Sequence, residues 1–273
     1  MPVNHQVEKY GADLRLNVAA MPSWFPELSH LEMVEQVAAY GFRAFEDLSA
    51  GKWSDKAAVK AKCAELGVIP GCISSSGSIT GDGPVNLGFH RKFELDMRNA
   101  IQEALALGTK CLCGTVGANI ERLSNERQLE NLVLAGKRVA PMLEDAGITL
   151  NFEPLNTRTN HHGYFLVYSE QAADIIDRIG SPNVKILYDV YHQQISEGNI
   201  IPNIKKYSSE IGHYHIGDNP GRHEPGTGEL NYRNIFQAIV ATGYTGIVAS
   251  EFSRSEGCTA DQVMRVLAEH ATW

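Results

Sequence analysis

The sequence predicts one (β/α)8 barrel, an α/β fold, over residues 1–273. Eight short apolar runs alternate with eight longer stretches of helical periodicity, a pattern typical of strands alternating with helices. Glycines follow most of the helical stretches, where helices commonly end in a left-handed residue. Eight units of roughly 34 residues also match the size of such a barrel, about 250 residues. No linker or low-complexity tract divides the chain, so we expect a single domain.

The predicted strands are Leu14–Ala19, Ala44–Leu48, Val68–Ser74, Lys110–Thr115, Thr149–Glu153, Val184–Asp189, Ile211–Ile216 and Gly246–Glu251. The predicted helices between them are Leu31–Tyr40, Asp55–Leu66, Phe89–Leu107, Asn125–Ala146, Ser169–Ile179, Ile200–Tyr207, Tyr232–Thr242 and Thr259–Ala271. Strands in this alternation pair in parallel through right-handed crossovers. A doubly wound open sheet is the competing fold, but no Gly-x-Gly-x-x-Gly follows the first strand.

Residues at the predicted helix ends agree with these boundaries. Five hydroxyl residues stand where N-caps are expected, and two of them have capping-box spacing to Glu32 and Gln262. These five are Ser29, Ser54, Ser124, Ser169 and Thr259. Six glycines are predicted to end helices: Gly41, Gly67, Gly108, Gly147, Gly180 and Gly243.

Composition argues against several classes of partner. The chain has 24 Lys and Arg against 32 Asp and Glu, a net charge of −8, so nucleic acids and anionic membranes are poor partners. No apolar run approaches the roughly 20 residues that span a bilayer. The first nine residues lack the pattern of a secretory signal. We therefore expect a cytoplasmic protein that acts on a small molecule, and the sequence leaves a homo-oligomer open.

The cysteines indicate packing rather than a disulfide scaffold. They are five in number and scattered through the chain. Cys111 and Cys113 stand in a C-x-C spacing inside an apolar run, and we interpret both as core residues rather than half of a metal site.

Polar side chains at the ends of the predicted strands carry the functional signal. Glu46 and Ser74 end the second and third strands, and the last four strands end in residues that can bind a metal. These four are Glu153, Asp189, His215 and Glu251, separated by 36, 26 and 36 residues. Because chemistry in such barrels collects at the carboxyl ends of the strands, we expect all four to converge there.

Three converging carboxylates repel one another unless a cation neutralises them. Two Glu, one Asp and one His favour a single divalent ion, Mn²⁺ or Mg²⁺, and leave Co²⁺ or Zn²⁺ open. The alternative for any one of them is a helix N-cap or a surface ion pair. Four in register favour the metal site.

Flanking residues are candidates for binding substrate. They are Glu46, Asn156, His192 and Arg222, whose carboxylate, amide, imidazole and guanidinium groups bind hydroxyl and carbonyl oxygens. The alternatives are a capped loop for Asn156, a satisfied loop histidine for His192 and a surface residue for Arg222. His213 is interpreted as a packed residue of the barrel.

The second half of the chain resembles a known family in several motifs. They are Glu153-Pro-Leu-Asn, Tyr164-Phe-Leu, Leu187-Tyr-Asp-Val-Tyr-His192, Ile211-Gly-His213 and the stretch from Pro220 to Tyr232. These are similar to the hydroxypyruvate isomerase branch of the sugar isomerase/epimerase barrels, a superfamily that also holds ketose 3-epimerases and endonuclease IV. The resemblance implies that Glu153, Asp189, His215 and Glu251 bind the metal and that Glu153 and Glu251 are the acid/base pair.

One departure from the resemblance leaves the substrate open. The hydroxypyruvate isomerases commonly carry Gln where this chain has His215, whereas the ketose 3-epimerases usually carry His there. The expected mechanism passes through an enediolate. Return of the proton to the neighbouring carbon isomerises the substrate, whereas return to the opposite face of the same carbon epimerises it. A 3-epimerase, a 3-keto-sugar lyase or hydratase, and a sugar-binding barrel without catalysis are the alternatives. A nuclease like endonuclease IV would need more ligands and a basic groove.

Overall fold

The sheet consists of parallel strands, as predicted. A computed structural model describes residues 8–273, so most of the segment in which we expected no secretory signal lies outside the described residues. The strands are β1 Asn17–Ala20, β2 Ala44–Phe45, β3 Ile69–Pro70, β4 Ile73–Ser74, β5 Cys111–Gly114, β6 Thr149–Phe152, β7 Val184–Asp189, β8 Ile211–Ile216 and β9 Ile247–Ser250. Their order is β3-β2-β1-β9-β8-β7-β6-β5-β4.

The two edge strands of this sheet lie in the same stretch of chain. β3 pairs with β2, and β4 pairs with β5. Both belong to the predicted third strand, which is interrupted at Gly71 and Cys72. The sheet therefore curls until its edges meet in one strand, and the predicted (β/α)8 fold is confirmed.

The helices are α1 His30–Ala39, α2 Lys56–Leu66, α3 His90–Leu107, α4 Asn125–Ala146, α5 Ser169–Ile179, α6 Val190–Ser196, α7 Ile200–Lys206, α8 Tyr232–Ala241 and α9 Ala260–Ala271. Helix α6 was not predicted, because its seven residues are too few for a clear apolar period. Within residues 8–273 no helix has both the length and the apolar character to cross a membrane.

Alternation along the strands separates the core from the barrel interior. Val18 and Leu112 belong to the main core, whereas their neighbours Ala19 and Cys113 belong to separate small clusters. Leu187 lies in the same small cluster as Cys113. Successive side chains of a strand point to opposite faces. A residue two positions along the strand from Ala19, Cys113 or Leu187 therefore also points into the barrel. Asp189 is therefore an interior residue.

Most of the predicted helix caps are present. Ser29 and Thr259 form complete capping boxes, and Ser124 accepts a hydrogen bond from the third backbone amide of α4. Two predictions were wrong. Asp55, not Ser54, precedes α2, and Ser169 is the first residue of α5, where its hydroxyl donates to Glu197.

The cysteines differ from the prediction in one respect. Cys113 is a buried free thiol, as expected for a core residue. Cys111 instead forms a disulfide with Cys72 across the neighbouring strands β4 and β5. The sequence could not indicate this bond, because it depends on the register that sets Ile73 opposite Leu112 and therefore Cys72 beside Cys111.

Candidate active site

Four polar residues meet at the carboxyl end of the barrel. Glu153 follows β6, Asp189 ends β7, His215 lies at the end of β8, and Glu251 follows β9. One ligand atom from each lies within 4.8 Å of the others. Because β6 to β9 are neighbours in the sheet, their ends bring together all four residues that we expected to converge.

His215 lies at the centre of this group. Its Nδ1 is 2.8 Å from Glu251 Oε2 and 3.6 Å from Glu153 Oε1, and its Nε2 is 2.6 Å from Glu46 Oε1. Complete burial opposes protonation, but the charges of Glu251 and Glu46 outweigh it and raise the pKa of His215 well above its usual range. Without a cation, a proton on the imidazole partly offsets the carboxylates. A cation bound through Nδ1, the nitrogen that faces Glu251 and Glu153, would replace that proton.

The two glutamates are in contrasting environments. Burial raises the pKa of Glu153, and the nearby charges of Glu251 and Asp189 add to this effect although His215 opposes it. Burial acts on Glu251 in the same direction, but His215 and Arg222 outweigh it and lower its pKa. Glu153 therefore binds a proton more readily than Glu251.

A divalent cation fits this group. The Oε1 atom of Glu153 is buried without a hydrogen-bond partner, which is costly for a carboxylate oxygen. Three carboxylates and one imidazole form the oxygen-rich ligand set that Mn²⁺ and Mg²⁺ prefer. A cation within reach of all four residues would contact Glu153 Oε1 and neutralise the negative charge of the carboxylates.

Asp189 is both a member of this group and a helix cap. Its Oδ1 accepts hydrogen bonds from the backbone amides of Tyr191 and His192 at 2.8 and 3.5 Å, which starts helix α6 directly after β7. Its Oδ2 remains free of the cap and faces Arg222. The capping role that we had set against a metal role therefore coexists with it.

Arg222 reaches the carboxylates from a loop. Its Nη2 donates to Asp189 Oδ2 and to Glu251 Oε2, both at 2.7 Å. Its guanidinium carbon lies 4.9 Å from the centre of the Tyr191 ring. The arginine is thus held over the candidate metal ligands.

Asp218 orders this loop, a role that we did not predict. Its Oδ2 accepts from the backbone amides of Gly226 and Gly228 at 2.8 and 2.9 Å, and its Oδ1 accepts from that of Leu230 at 3.1 Å. The carboxylate is fully buried. A single charged residue therefore fixes the loop that carries Arg222.

Asn156 holds His192 and does not line the cavity beside the four residues. Its Nδ2 donates to His192 Nδ1 at 2.7 Å, and its Oδ1 accepts from the amides of Thr159 and Asn160. Burial lowers the pKa of His192 to about 4. The imidazole is therefore neutral, with its proton on Nε2, and Asn156 orients the ring through this hydrogen bond.

Glu46 lies directly after β2, at the strand end that the sequence indicated. It lies beneath His215 and outside the cavity lining, and Oε2 accepts a hydrogen bond from the amide of Cys72 at 2.6 Å. Although burial opposes ionisation, His213 and His215 lower the pKa of Glu46 to about 2. A Cβ on Gly71 would overlap with this carboxylate, so glycine makes room for it. Glu46 supports His215 from below and does not reach the cavity.

A cavity of about 720 Å³ opens beside the four residues. Glu153, Glu251, His192 and Arg222 line one side of it. The rest of the lining consists mainly of the serine-rich segment 74–80 and other residues of the first half of the chain, with Lys52 among them. His161, whose ring centre lies 5.0 Å from that of His192, also lines the cavity. The position of His161 in a loop does not by itself indicate this placement in the sequence.

Comparison with known proteins identifies relatives over most of the chain. A family model described as xylose isomerase-like TIM barrel matches residues 34–270. A putative hydroxypyruvate isomerase of Homo sapiens is 32% identical over 87% of this chain and 89% of its own length. A 2-oxo-tetronate isomerase of Cupriavidus necator is 30% identical, over 89% and 94% respectively. A solved structure of an AP endonuclease, family 2, from Brucella melitensis superposes with a TM-score of 0.82 at 28% identity, over 94% and 99% of the two chains.

Proposed function

This chain belongs to the xylose isomerase-like TIM barrel family, and we propose that it is a metal-dependent isomerase of the hydroxypyruvate isomerase type. The observation that carries the proposal is the convergence of Glu153, Asp189, His215 and Glu251 within 4.8 Å beside a large cavity. The relatives named hydroxypyruvate isomerase and 2-oxo-tetronate isomerase support the choice of small hydroxy-carbonyl acids as substrates.

The four converging residues would hold one divalent ion. Such an ion supplies positive charge that acidifies the carbon-bound proton of a hydroxy-carbonyl compound and stabilises its enediolate. Mn²⁺ or Mg²⁺ suits the ligand set best.

Glu153 and Glu251 transfer the proton in this proposal. Removal of a carbon-bound proton by one carboxylate and its return to the neighbouring carbon by the other converts a ketone with an adjacent alcohol into the isomeric aldehyde. The hydroxyl proton also passes to the former carbonyl oxygen. Atoms therefore balance, because one proton moves between the carbons, one moves between the oxygens, and no electrons leave the substrate.

Two further residues bind the reacting oxygens. His192 is neutral and held by Asn156, so its Nε2–H donates to a substrate hydroxyl or carbonyl. Arg222 offers guanidinium hydrogens to a carboxylate or carbonyl, the geometry that planar anions favour.

A 3-epimerase, or a lyase or hydratase acting on a 3-keto sugar, is the second candidate. His215 favours it, because His is usual at this position in the resembling ketose 3-epimerases. The same pair of carboxylates serves epimerisation when the proton returns to the opposite face of the same carbon. A nuclease is a weaker candidate, since the net charge of −8 disfavours a DNA partner.

Metal analysis combined with turnover tests the proposal. We expect about one divalent ion per chain, loss of hydroxypyruvate isomerisation after chelation, and recovery with Mn²⁺. Asp189→Asn should lower the metal occupancy, with Asp55→Asn as a control outside the site. Turnover of ketoses but not of hydroxypyruvate would select the second candidate, and full activity after verified removal of metal would refute metal dependence.

A further inference from the structure

A second group of potential metal ligands lies inside the barrel below the candidate active site. Cys72, Cys111 and His213 each offer one ligand atom within 4.8 Å of the others. They come from three places in the sheet: the junction between β3 and β4, the start of β5, and β8. Cys72 and His213 are almost completely buried. The proposed reaction uses none of these three side chains.

The group is reached from the other end of the barrel. A cavity of about 440 Å³ is lined by Cys111, His213 and Asn151, together with residues at the amino ends of the strands. The candidate active site opens at the carboxyl end instead, and its cavity shares none of these three residues. An ion can therefore approach the lower group without passing the catalytic carboxylates.

The chemistry of the two groups differs. Three carboxylates dominate the upper group, whereas the lower one offers two sulfur atoms and one imidazole, which are ligands that Zn²⁺ and other thiophilic ions prefer. A fourth position is available to water from the cavity, as in zinc sites with three protein ligands.

His213 is already oriented for such a role. Its buried Nε2 lies 2.9 Å from Glu46 Oε2, an ion-pair distance without hydrogen-bond geometry, and Nδ1 is the remaining ring nitrogen. Metal-binding histidines commonly contact a carboxylate through their second nitrogen, which fixes the ring. Asn151 lies alongside, with Nδ2 3.3 Å from Cys111 Sγ and its buried Oδ1 without a hydrogen-bond partner.

We propose that Cys72, Cys111 and His213 form a second metal site, for a thiophilic divalent ion such as Zn²⁺, when the Cys72–Cys111 disulfide is reduced. Reduction by a phosphine breaks the S–S bond, adds two electrons and two protons to give two thiols, and converts the phosphine with water into its oxide. Binding of the ion then releases the two thiol protons. In the oxidised protein the sulfur atoms are bonded to each other and the site is closed.

An ion at this site would support the candidate active site from below. It would join the β3–β4 junction to β5 and β8. The backbone amide of Cys72 donates to Glu46 at 2.6 Å, and Glu46 contacts His215 at 2.6 Å. The same residue that binds the ion therefore fixes the support of His215, and we expect a higher Tm for the reduced protein with the ion than without it.

Cobalt titration tests this proposal without reference to turnover. The full chain, reduced with tris(2-carboxyethyl)phosphine, should bind about two Co²⁺ ions per chain, against about one in the oxidised protein. The additional ion should produce an intense near-ultraviolet charge-transfer band, because its ligands include thiolates. Zn²⁺ should displace it and raise the Tm of the reduced protein.

Variants identify the ligands. Cys72→Ser and Cys111→Ser, each checked for folding by circular dichroism, should abolish the thiolate band. Cys113→Ser should keep it, although this thiol lies 3.6 Å from Glu153. Asp189→Asn should weaken the upper site and leave the band. A reduced wild-type protein without the band, or a band that survives in Cys72→Ser, overturns the proposal. The oxidised wild-type protein, in which the disulfide closes the site, is a control without any substitution and should show no thiolate band.

Discussion

The two sides of the active-site cavity are built from different halves of the chain. The ends of β6 to β9 supply buried and half-buried charged groups that contact one another, with His215 between Glu251 and Glu46. The side formed by the first half supplies serine hydroxyls and Lys52, which lines the cavity and is itself exposed. The charged side can carry the chemistry, because its groups are held in fixed positions, and the hydroxyl side can set which substrate fits.

Burial explains why the charged lining residues need partners. The charged groups at the ends of β6 to β9 have partners of opposite sign, as when Arg222 contacts both Asp189 and Glu251 at 2.7 Å. Without such partners, burial of three carboxylates would be strongly unfavourable. Lys52 needs no partner, since it remains in contact with water.

The largest effect should come from the catalytic glutamates on the charged side. Glu153→Gln and Glu251→Gln, assayed with saturating Mn²⁺, should each lower kcat by roughly 10²–10⁴-fold, the usual cost of losing a general base. Metal content measured on the same samples separates a lost base from a lost ligand. Wild-type turnover by either variant with its metal present would remove that glutamate from the proton transfer.

Arg222 should have a smaller effect, because in the proposed reaction it binds substrate and moves no proton. Arg222→Ala should lower kcat/KM by about 1.5–3 kcal/mol, or about 10- to 150-fold, with metal content unchanged. Arg222→Lys keeps the charge without the planar guanidinium, and its kcat/KM should lie between those of the wild type and the alanine variant. An unchanged kcat/KM in the alanine variant would give the loop ordered by Asp218 a structural role only.

Lys52 should have the smallest effect. Its side chain is exposed, so Lys52→Ala should change kcat/KM by less than about fivefold, in line with the 0–1 kcal/mol typical of solvated charges. Lys56→Ala, at a position outside the cavity lining, is the control. A loss of kcat/KM as large as that of Arg222→Ala would mean that both sides of the cavity bind a charged group of the substrate. The contrast between the two sides would then fail.

The sequence predicted the barrel and the four converging residues because both follow from local pattern. Strand and helix periods alternate, and the residues that end neighbouring strands must meet. The surroundings of Glu46 and Asn156 could not be predicted, for the opposite reason. Their positions near strand ends were correct, but only the packing of Gly71 beside Glu46 and of His192 beside Asn156 decides which way each side chain points.

The disulfide and the role of Asp218 show the same limit. The disulfide joins Cys72 to Cys111, 39 residues further along the chain. The hydrogen bonds from the amides of Gly226 and Leu230 to Asp218 span 8 and 12 residues of a loop that has no regular period, so no local pattern indicates either feature. Helix α6 was missed because its start depends on the side chain of Asp189, a residue that we had considered mainly as a metal ligand.

Solvent deuterium exchange tests the central claim most directly. Incubation with hydroxypyruvate in D₂O should place deuterium on the carbon that bears the hydroxyl group when Mn²⁺ is present, and should stop after chelation, because the enediolate then lacks its stabilising charge. Exchange should also stop in the glutamate variant that has lost the carboxylate that first removes the proton. Isomerisation without any deuterium incorporation, or equal exchange with and without metal, would contradict proton transfer between Glu153 and Glu251 at a metal site.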